Sequence, residues 1–549
     1  MKHILTNYAL CFLSFFFLLL PVCSLTAQPV RKRVEPPVAA DFVPILRFLS
    51  SGWMEGREAG SRGGFMAADY IASMMQINGL LPYGHPDGTM GNPQSCGVKT
   101  DYFQDFYLTR VNVENSSLAL ISGNQEGESV LFFNPRLDYS IPPVPRSCEG
   151  EALLFFGGYG IKAPDKQYDD YRGLDIKGRI VLILEGYPGH SDTASPVRSL
   201  LGKNFGEKFA SRDTKIRMAR QQGALAVILV DLSGSEFVSR QTVVNIDQTE
   251  RCMIPINPGD PIYNDGEYAL LGDTTACTIP CFTIGKKVAA ELLKDSNINL
   301  EKFEIQSASH LTNASALLPG HRVRFGVTIK AETLLARNVV GMIRGLDTRR
   351  YILVGAHYDY LGTRDAVTYY GADDNASGTA GMLSLAAKWS SIPEKPACNL
   401  LFEAWTAEEK GILGSTFFCR TSPVVGKGLS LVINMDMLSR NDLTDTAGCQ
   451  ISIGTLPVSE DLRKLARASN DLLNNPFQLD FWDVTGHSGS DYGAFADRKI
   501  PVMTFFSGFH ADYHSPRDVA EKTDPLKMEK ILSIVNHCLQ EATLKPPVR

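Results

Sequence analysis

The sequence predicts an α/β fold: a mixed-sheet, three-layer main domain with a smaller α/β domain inserted into it. Three observations carry this. From residue 338 onward, apolar β-rich runs alternate with helical patterns at the spacing of a sheet covered on both faces. Between about residues 150 and 310 the texture changes to short, fully apolar strands around an amphipathic helix. The 549 residues are too many for one ordinary domain. With 44% hydrophobic and 21% charged residues, disorder, collagen and coiled coil are excluded.

The first 27 residues read as a secretory signal. Lys2 and His3 precede an apolar run at 8–22, and Leu25-Thr26-Ala27 supplies small residues for cleavage near Ala27. The expected protein is therefore exported: periplasmic, cell-surface or secreted. Fifteen apolar residues are short for a membrane span. Cys23 raises a lipoprotein alternative, which Val22 before it fits poorly. No later stretch reaches 18 apolar residues, so no span is expected in the mature chain. Lys+Arg 54 against Asp+Glu 60 leaves a charge of −6 and no basic surplus for a phosphate backbone, so nucleic acid is not an expected partner.

Export permits disulfides. Nine cysteines follow the signal: Cys96, Cys148, Cys252, Cys277, Cys281, Cys398, Cys419, Cys449 and Cys538. The odd number leaves at least one without a partner in the chain. Cys96 and Cys148 fall in loops and are a candidate pair, whereas Cys398, Cys419 and Cys538 read as small buried hydrophobes. No C-x-x-C pair is present, so a structural zinc ribbon is not expected.

Along the chain, helical apolar spacing predicts helices at 42–50 and 64–78, the second stopped by Gly79. Aromatic and β-branched residues predict a strand at 102–113, and the Pro-dense stretch at 141–146 marks a boundary. The inserted unit has strands at 151–156, 178–185 and 224–231 and a helix at 213–222. In the main unit, strands are expected at 338–343, 351–356, 399–405, 429–435 and 501–506. Helices are expected at 377–390, 409–420, 460–474 and 525–544.

Ligands of such folds collect at the carboxyl ends of strands. His357-Tyr-Asp359 follows one strand, and Gly371-Ala-Asp-Asp374-Asn375 opens the next helix. Glu408-Glu409 follows another strand, Asp436 ends a third, and Tyr513-His514 lies past the last. Any one of these has an ordinary explanation as a helix cap, a dipole partner or a surface charge. Five in succession at strand ends point to one site. Buried histidines and carboxylates need compensation, and a set rich in carboxylates suits Zn²⁺, with enough ligands for two ions.

The series H-x-D, G-A-D-D-N-A-S-G, A-E-E, N-M-D and Y-H-S-P resembles the secreted di-zinc aminopeptidases of metallopeptidase family twenty-eight, whose superfamily also holds glutamate carboxypeptidases and glutaminyl cyclases. Leu174-Asp-Ile-Lys-Gly-Arg-Ile-Val-Leu-Ile, a helix and Gly223-Ala-Leu-Ala-Val-Ile resemble a protease-associated domain. After the signal at 1–27, the resemblance implies the first part of a zinc-peptidase domain at 28–149, the insertion at 150–310 and the main catalytic part at 311–549. It implies that His357 and Asp436 bind one zinc, Glu409 and His514 the other, and that Asp374 bridges them, with a cis Asp374-Asn375 peptide. It makes Asp359 the carboxylate that orients His357, and Glu408 the general base that takes a proton from water and passes it to the leaving amine.

Asp491, in Ser490-Asp491-Tyr492, and Tyr513 are substrate-side candidates; His487 receives no role, and Asp518 is either a supporting or a surface charge. The expected reaction removes N-terminal residues from peptide substrates. The alternatives are a carboxypeptidase, for which Arg364 and Arg440 could hold a carboxylate, a glutaminyl cyclase, or a non-catalytic binding protein on the same scaffold.

Overall fold

The alternation after residue 338 builds a mixed sheet, seen in a computed structural model that describes residues 39–84, 102–124, 127–135, 137–142, 144, 146–202, 204–233, 267–273, 279–311, 315–484 and 489–545. The principal elements are α1 (Ala39–Leu49), α2 (Arg62–Ile77), β1 (Phe103–Asn124), β2 (Cys148–Phe156), β3 (Ile180–Leu184), α3 (Arg212–Gln221), β4 (Ala226–Asp231), β5 (Cys281–Gly285) and α4 (Leu300–Ser309). They continue as β6 (Ala316–Ile343), β7 (Asp347–His357), α5 (Gly378–Ser390), β8 (Cys398–Trp405), α6 (Leu413–Thr421), β9 (Leu429–Asp436), β10 (Gln450–Thr455), α7 (Glu460–Asn470), β11 (Gln478–Asp483), α8 (Tyr492–Ala496), β12 (Val502–Phe506) and α9 (Pro525–Leu544). Among the described residues no helix is long and apolar enough to cross a membrane.

The sheet runs β11-β10-β12-β9-β7-β8-β6-β2-β3-β4-β5. Strands β7, β8, β9 and β12 pair in parallel, while β6–β8 and β10–β12 are antiparallel, so the sheet is mixed as expected. Helices α1, α2, α5 and α9 cover one face around Ile352, Val354, Leu400, Phe402, Leu431 and Ile433. These side chains are fully buried, each contributing roughly 1.5–3 kcal/mol. The alternate residues Leu353, Leu401, Val432 and Trp405 face α6 and α8. Both faces being covered explains why these strands read as continuous apolar runs.

Residues 148–309 bury one cluster of their own around parallel strands β2–β5 and share a second with Leu118 and Leu120 of β1 and Val323 and Phe325 of β6. Strands β1 and β6 run far beyond the expected 102–113 and 338–343, pairing from Phe103↔Val339 to His321↔Ser122. The added length of β6 alternates polar with apolar residues, as in Arg322-Val323-Arg324-Phe325, and each extension is a strand only because a partner of equal length satisfies its main chain.

Helix α6 begins at Leu413 rather than at the expected Glu409. Ala407 (φ 58), Gly411 (φ 108) and Ile412 (φ 60) adopt left-handed backbone, so Glu408 and Glu409 sit on a turn between β8 and α6. Cys148 is a free thiol, and its candidate partner Cys96 lies outside the described residues, as do the signal segment and His487.

A candidate metal centre at the strand ends

The site is assembled by register. Gly355 of β7 lies opposite Glu403 of β8 and Asn434 of β9, and Asn434 lies opposite Thr504 of β12. One row further along, His357 is level with Trp405, and Asp436 closes β9. The strand ends thus deliver His357 and Asp436 side by side: His357 Nε2 lies 3.3 Å from Asp436 Oδ1 and 3.4 Å from Asp374 Oδ1. On the other side of Asp374, His514 Nε2 lies 3.2 Å from Asp374 Oδ2 and 3.2 Å from Glu409 Oε2.

The residues form two groups of three, His357–Asp374–Asp436 and Asp374–Glu409–His514, each able to hold a metal ion and sharing Asp374. Tetrahedral N and O ligands at about 2.0–2.1 Å from Zn²⁺ stand about 3.3 Å from one another. The observed separations fit that geometry, and the sharing residue turns one oxygen to each group. The Asp374-Asn375 peptide is cis, as expected.

Supporting residues hold the ligands. Asp518 accepts hydrogen bonds from the main-chain N–H of both Asp373 (3.1 Å) and Asp374 (3.0 Å), and it is fully buried. Asp373 accepts from Ser439 N at 2.6 Å and Ser439 Oγ at 2.8 Å, tying the Asp374 loop to the segment after β9. Asn375 does the same through Met435 O and Met437 N. Asp359 Oδ1 accepts from Glu408 N at 3.1 Å and lies 3.8 Å from His357 Nδ1, which is nearer to the Asp359 main-chain oxygen at 3.3 Å. Asp359 therefore couples the His357 strand end to the Glu408 turn.

The site gathers several buried carboxylates around two histidines. Burial, with Glu409 next, raises Asp374 to about 7. Burial and Glu409 also raise Asp359, to about 6. Burial raises Glu408 well above the usual carboxylate range, with Glu409, Asp491 and Asp436 adding to it and His357 opposing. His357 is held well above its ordinary value: burial lowers it, but Asp436, Glu408 and Asp374 outweigh that.

Glu408 stands on the partly exposed side of the site, as do Asp436, His514 and Tyr513. The Tyr513 ring stacks on the His514 imidazole at 3.9 Å between centroids, and Tyr360 meets that imidazole edge-on at 6.0 Å. Asp491 is fully buried, beside His357 and near Asp359 and Asp436, not on an open wall. Sequence reasoning missed three supporting residues. Glu403 lies in the row beneath His357, fully buried, and burial with Asp491 raises it well above the carboxylate range. Its one signal was a carboxylate inside an otherwise apolar strand. The other two are Asp373 and the fully buried Arg57; the latter is far away in sequence and carried no motif.

Arg364 and Arg440, the two arginines that could have held a substrate carboxylate, are engaged elsewhere. Arg364 pairs with both carboxylate oxygens of Glu58, and Arg440 with Asp512 at 3.1 Å.

This geometry makes a candidate metal centre at the strand ends of an α/β sheet. Residues 338–539 match the model of Peptidase family M28. A glutamate carboxypeptidase 2 homolog of Caenorhabditis briggsae is 27% identical over 398 residues, covering 65% of this chain and 47% of the relative. Leucine aminopeptidase 2 of Arthroderma otae is 31% identical over 193 residues, covering 34% of this chain and 36% of the relative. The chain thus spans less than half the length of these curated relatives. An aminopeptidase from Aneurinibacillus sp. strain AM-1 shares the fold, with a TM-score of 0.55 at 20% identity over 93% of this chain and 94% of that one.

Proposed function

We propose that this chain is an exported di-zinc aminopeptidase that removes N-terminal residues from peptides. The observation that carries the reading is Asp374 presenting one oxygen to each of two three-residue donor groups. In this reading His357 and Asp436 hold one zinc, Glu409 and His514 the other, and Asp374 both. Zinc held by these residues would supply Lewis acidity toward the scissile carbonyl and would lower the pKa of the attacking water.

Glu408 stands three residues past the end of β8, on the same turn as Glu409, but belongs to neither donor group, which leaves its carboxylate available. As general base it takes a proton from the attacking water, holds it, and passes it to the departing amine. Asp359 fixes the main chain of Glu408 and so aims that carboxylate. Tyr513, stacked on His514, forms part of the wall that substrate meets. Asp491 acts from behind, adding negative charge near His357 and Glu408.

A free N-terminus fits better than a carboxylate tail. The groups around the candidate centre are mostly acidic, and Arg364 and Arg440 are already paired with Glu58 and Asp512. We further assign residues 150–310 to a protease-associated domain, an assignment supported by the core they bury among themselves around Phe155, Val181, Ile183, Val227 and Leu229.

Purified protein is assayed with free and N-blocked aminoacyl substrates, with and without chelator. Chelator-sensitive release from the free substrate alone is expected. Release from the blocked substrate alone overturns the aminopeptidase assignment in favour of the carboxypeptidase, and no hydrolysis of either favours the binding protein.

A further inference from the structure

Arg57 is among the largest side chains the structure buries completely, and it lies outside the region matched to the family. It stands on a turn in which Glu55 (φ 49), Gly56 (φ 70) and Arg57 (φ 51) are consecutively left-handed, backbone that residues with side chains rarely adopt. The turn is pressed against the segment after Asp359. A Cβ on Gly56 would meet Gly362 O at 2.4 Å, Gly362 N donates to Gly56 O at 3.1 Å, and Tyr360 N donates to Arg57 O at 3.3 Å.

The guanidinium makes four hydrogen bonds, all to main-chain carbonyls. Nε donates to Tyr358 O at 2.7 Å, Nη1 to Leu49 O at 2.6 Å and Tyr370 O at 2.7 Å, and Nη2 to Gly371 O at 2.7 Å. Tyr358 follows His357. Tyr370 and Gly371 lead into Asp373 and Asp374. One flat group therefore joins the peptide next to a ligand of the first donor group to the loop carrying the ligand shared by both. The same cation lies among carboxylates: Asp518, Asp374 and Asp359 all favour its charge, against burial, which lowers it to about 10 and so leaves it protonated at neutral pH.

We propose that Arg57 is a positioning residue of the metal centre. Its guanidinium sets the spacing between the end of the His357 strand and the Asp374 loop. A planar fork of donors suits carbonyls arriving from several directions, and an ammonium does not reproduce it. The inference rests on the metal-centre reading above.

Arg57→Lys keeps the charge and loses the fork; Arg57→Gln keeps a planar donor and loses the charge. Each is compared with the wild-type chain by zinc competition against a chromophoric chelator, by the visible spectrum of the cobalt(II)-substituted protein, and by kcat and KM at saturating zinc. We expect at least tenfold weaker zinc binding, altered cobalt bands, and a fall in kcat larger than the change in KM. The result is read from whichever variant folds with native circular dichroism. Unchanged zinc affinity and cobalt spectrum overturn the proposal, even if thermal stability falls, because that is the behaviour of a purely structural arginine. A wild-type chain that binds no zinc fails the metal-centre reading itself, a distinct result.

Discussion

Asp374 faces His357 through Oδ1 at 3.4 Å and faces His514 through Oδ2 at 3.2 Å, so one carboxylate belongs to two donor groups. The two histidines are far apart in sequence, one at the end of β7 and the other past β12, and this residue is the hinge of the whole site. Its loop is fixed by Asp518 beneath it and by Asn375 and Asp373, which tie it to the residues at the end of β9 and just after it.

Asp374→Ala is expected to lose both metals, whereas Glu409→Ala loses one. In the second variant His357, Asp374 and Asp436 remain as a complete group. Zinc counted by mass spectrometry on the purified variants checks this. Equal loss in the two would contradict the sharing of Asp374.

Glu408→Gln is expected to keep both metals and to lower kcat by roughly 10²–10⁴-fold, the range for removal of a general base. Neither donor group includes Glu408. If the variant lost its metal, the separation of base from ligands would be wrong.

Chelation should destabilise the protein more at pH 8 than at pH 5. In the metal-free fold Asp374, Asp491 and Asp518 stand at about 7 and Asp359 at about 6, all raised by burial first, against 3.8 for a free Asp. The folded state therefore binds more protons than the unfolded chain between these values, and the stability of the metal-free protein falls as pH rises through them. Bound cations remove that penalty. Thermal melts with and without chelator across this range should diverge as pH rises, and parallel melts would count against the carboxylate cluster as the cause.

Glu403→Gln is expected to keep the fold and to flatten part of the same pH slope. Burial and Asp491 raise Glu403, so its contribution to stability is present at low pH and lost as pH rises. The measurement is the urea midpoint at several pH values; an unchanged slope would place the titration elsewhere.

Gly355→Ala should destabilise the chain by about 1–3 kcal/mol, the usual cost of overpacking a filled core. A Cβ there would lie 2.1 Å from the Trp405 ring, which covers this position in the row below His357. A lower urea midpoint at unchanged m value is the expected signature.

The strands β7, β8, β9 and β12 were legible because burial on both faces makes each a continuous apolar run, and His357, Asp436 and the Glu408-Glu409 pair could be placed as polar residues breaking out at their ends. Each is a local contrast, visible in a handful of neighbours. The start of α6 was not legible: Glu409 to Arg420 reads as helix, but left-handed backbone at Ala407 and Ile412 keeps both glutamates on a turn. The lengths of β1 and β6 were hidden for a different reason, since each is a strand only because the other is.

By itself, then, the sequence determined the α/β class and which residues could ligate metal, because apolar periodicity and ligand chemistry are properties of short segments. Only the tertiary structure decided that Asp374 divides its oxygens between two histidines, that Glu403 lies one row beneath the site, and that Arg57 braces it from about 300 residues away. Those relations depend on strand register and on where buried carbonyls must find donors, and both are set only when distant segments pack.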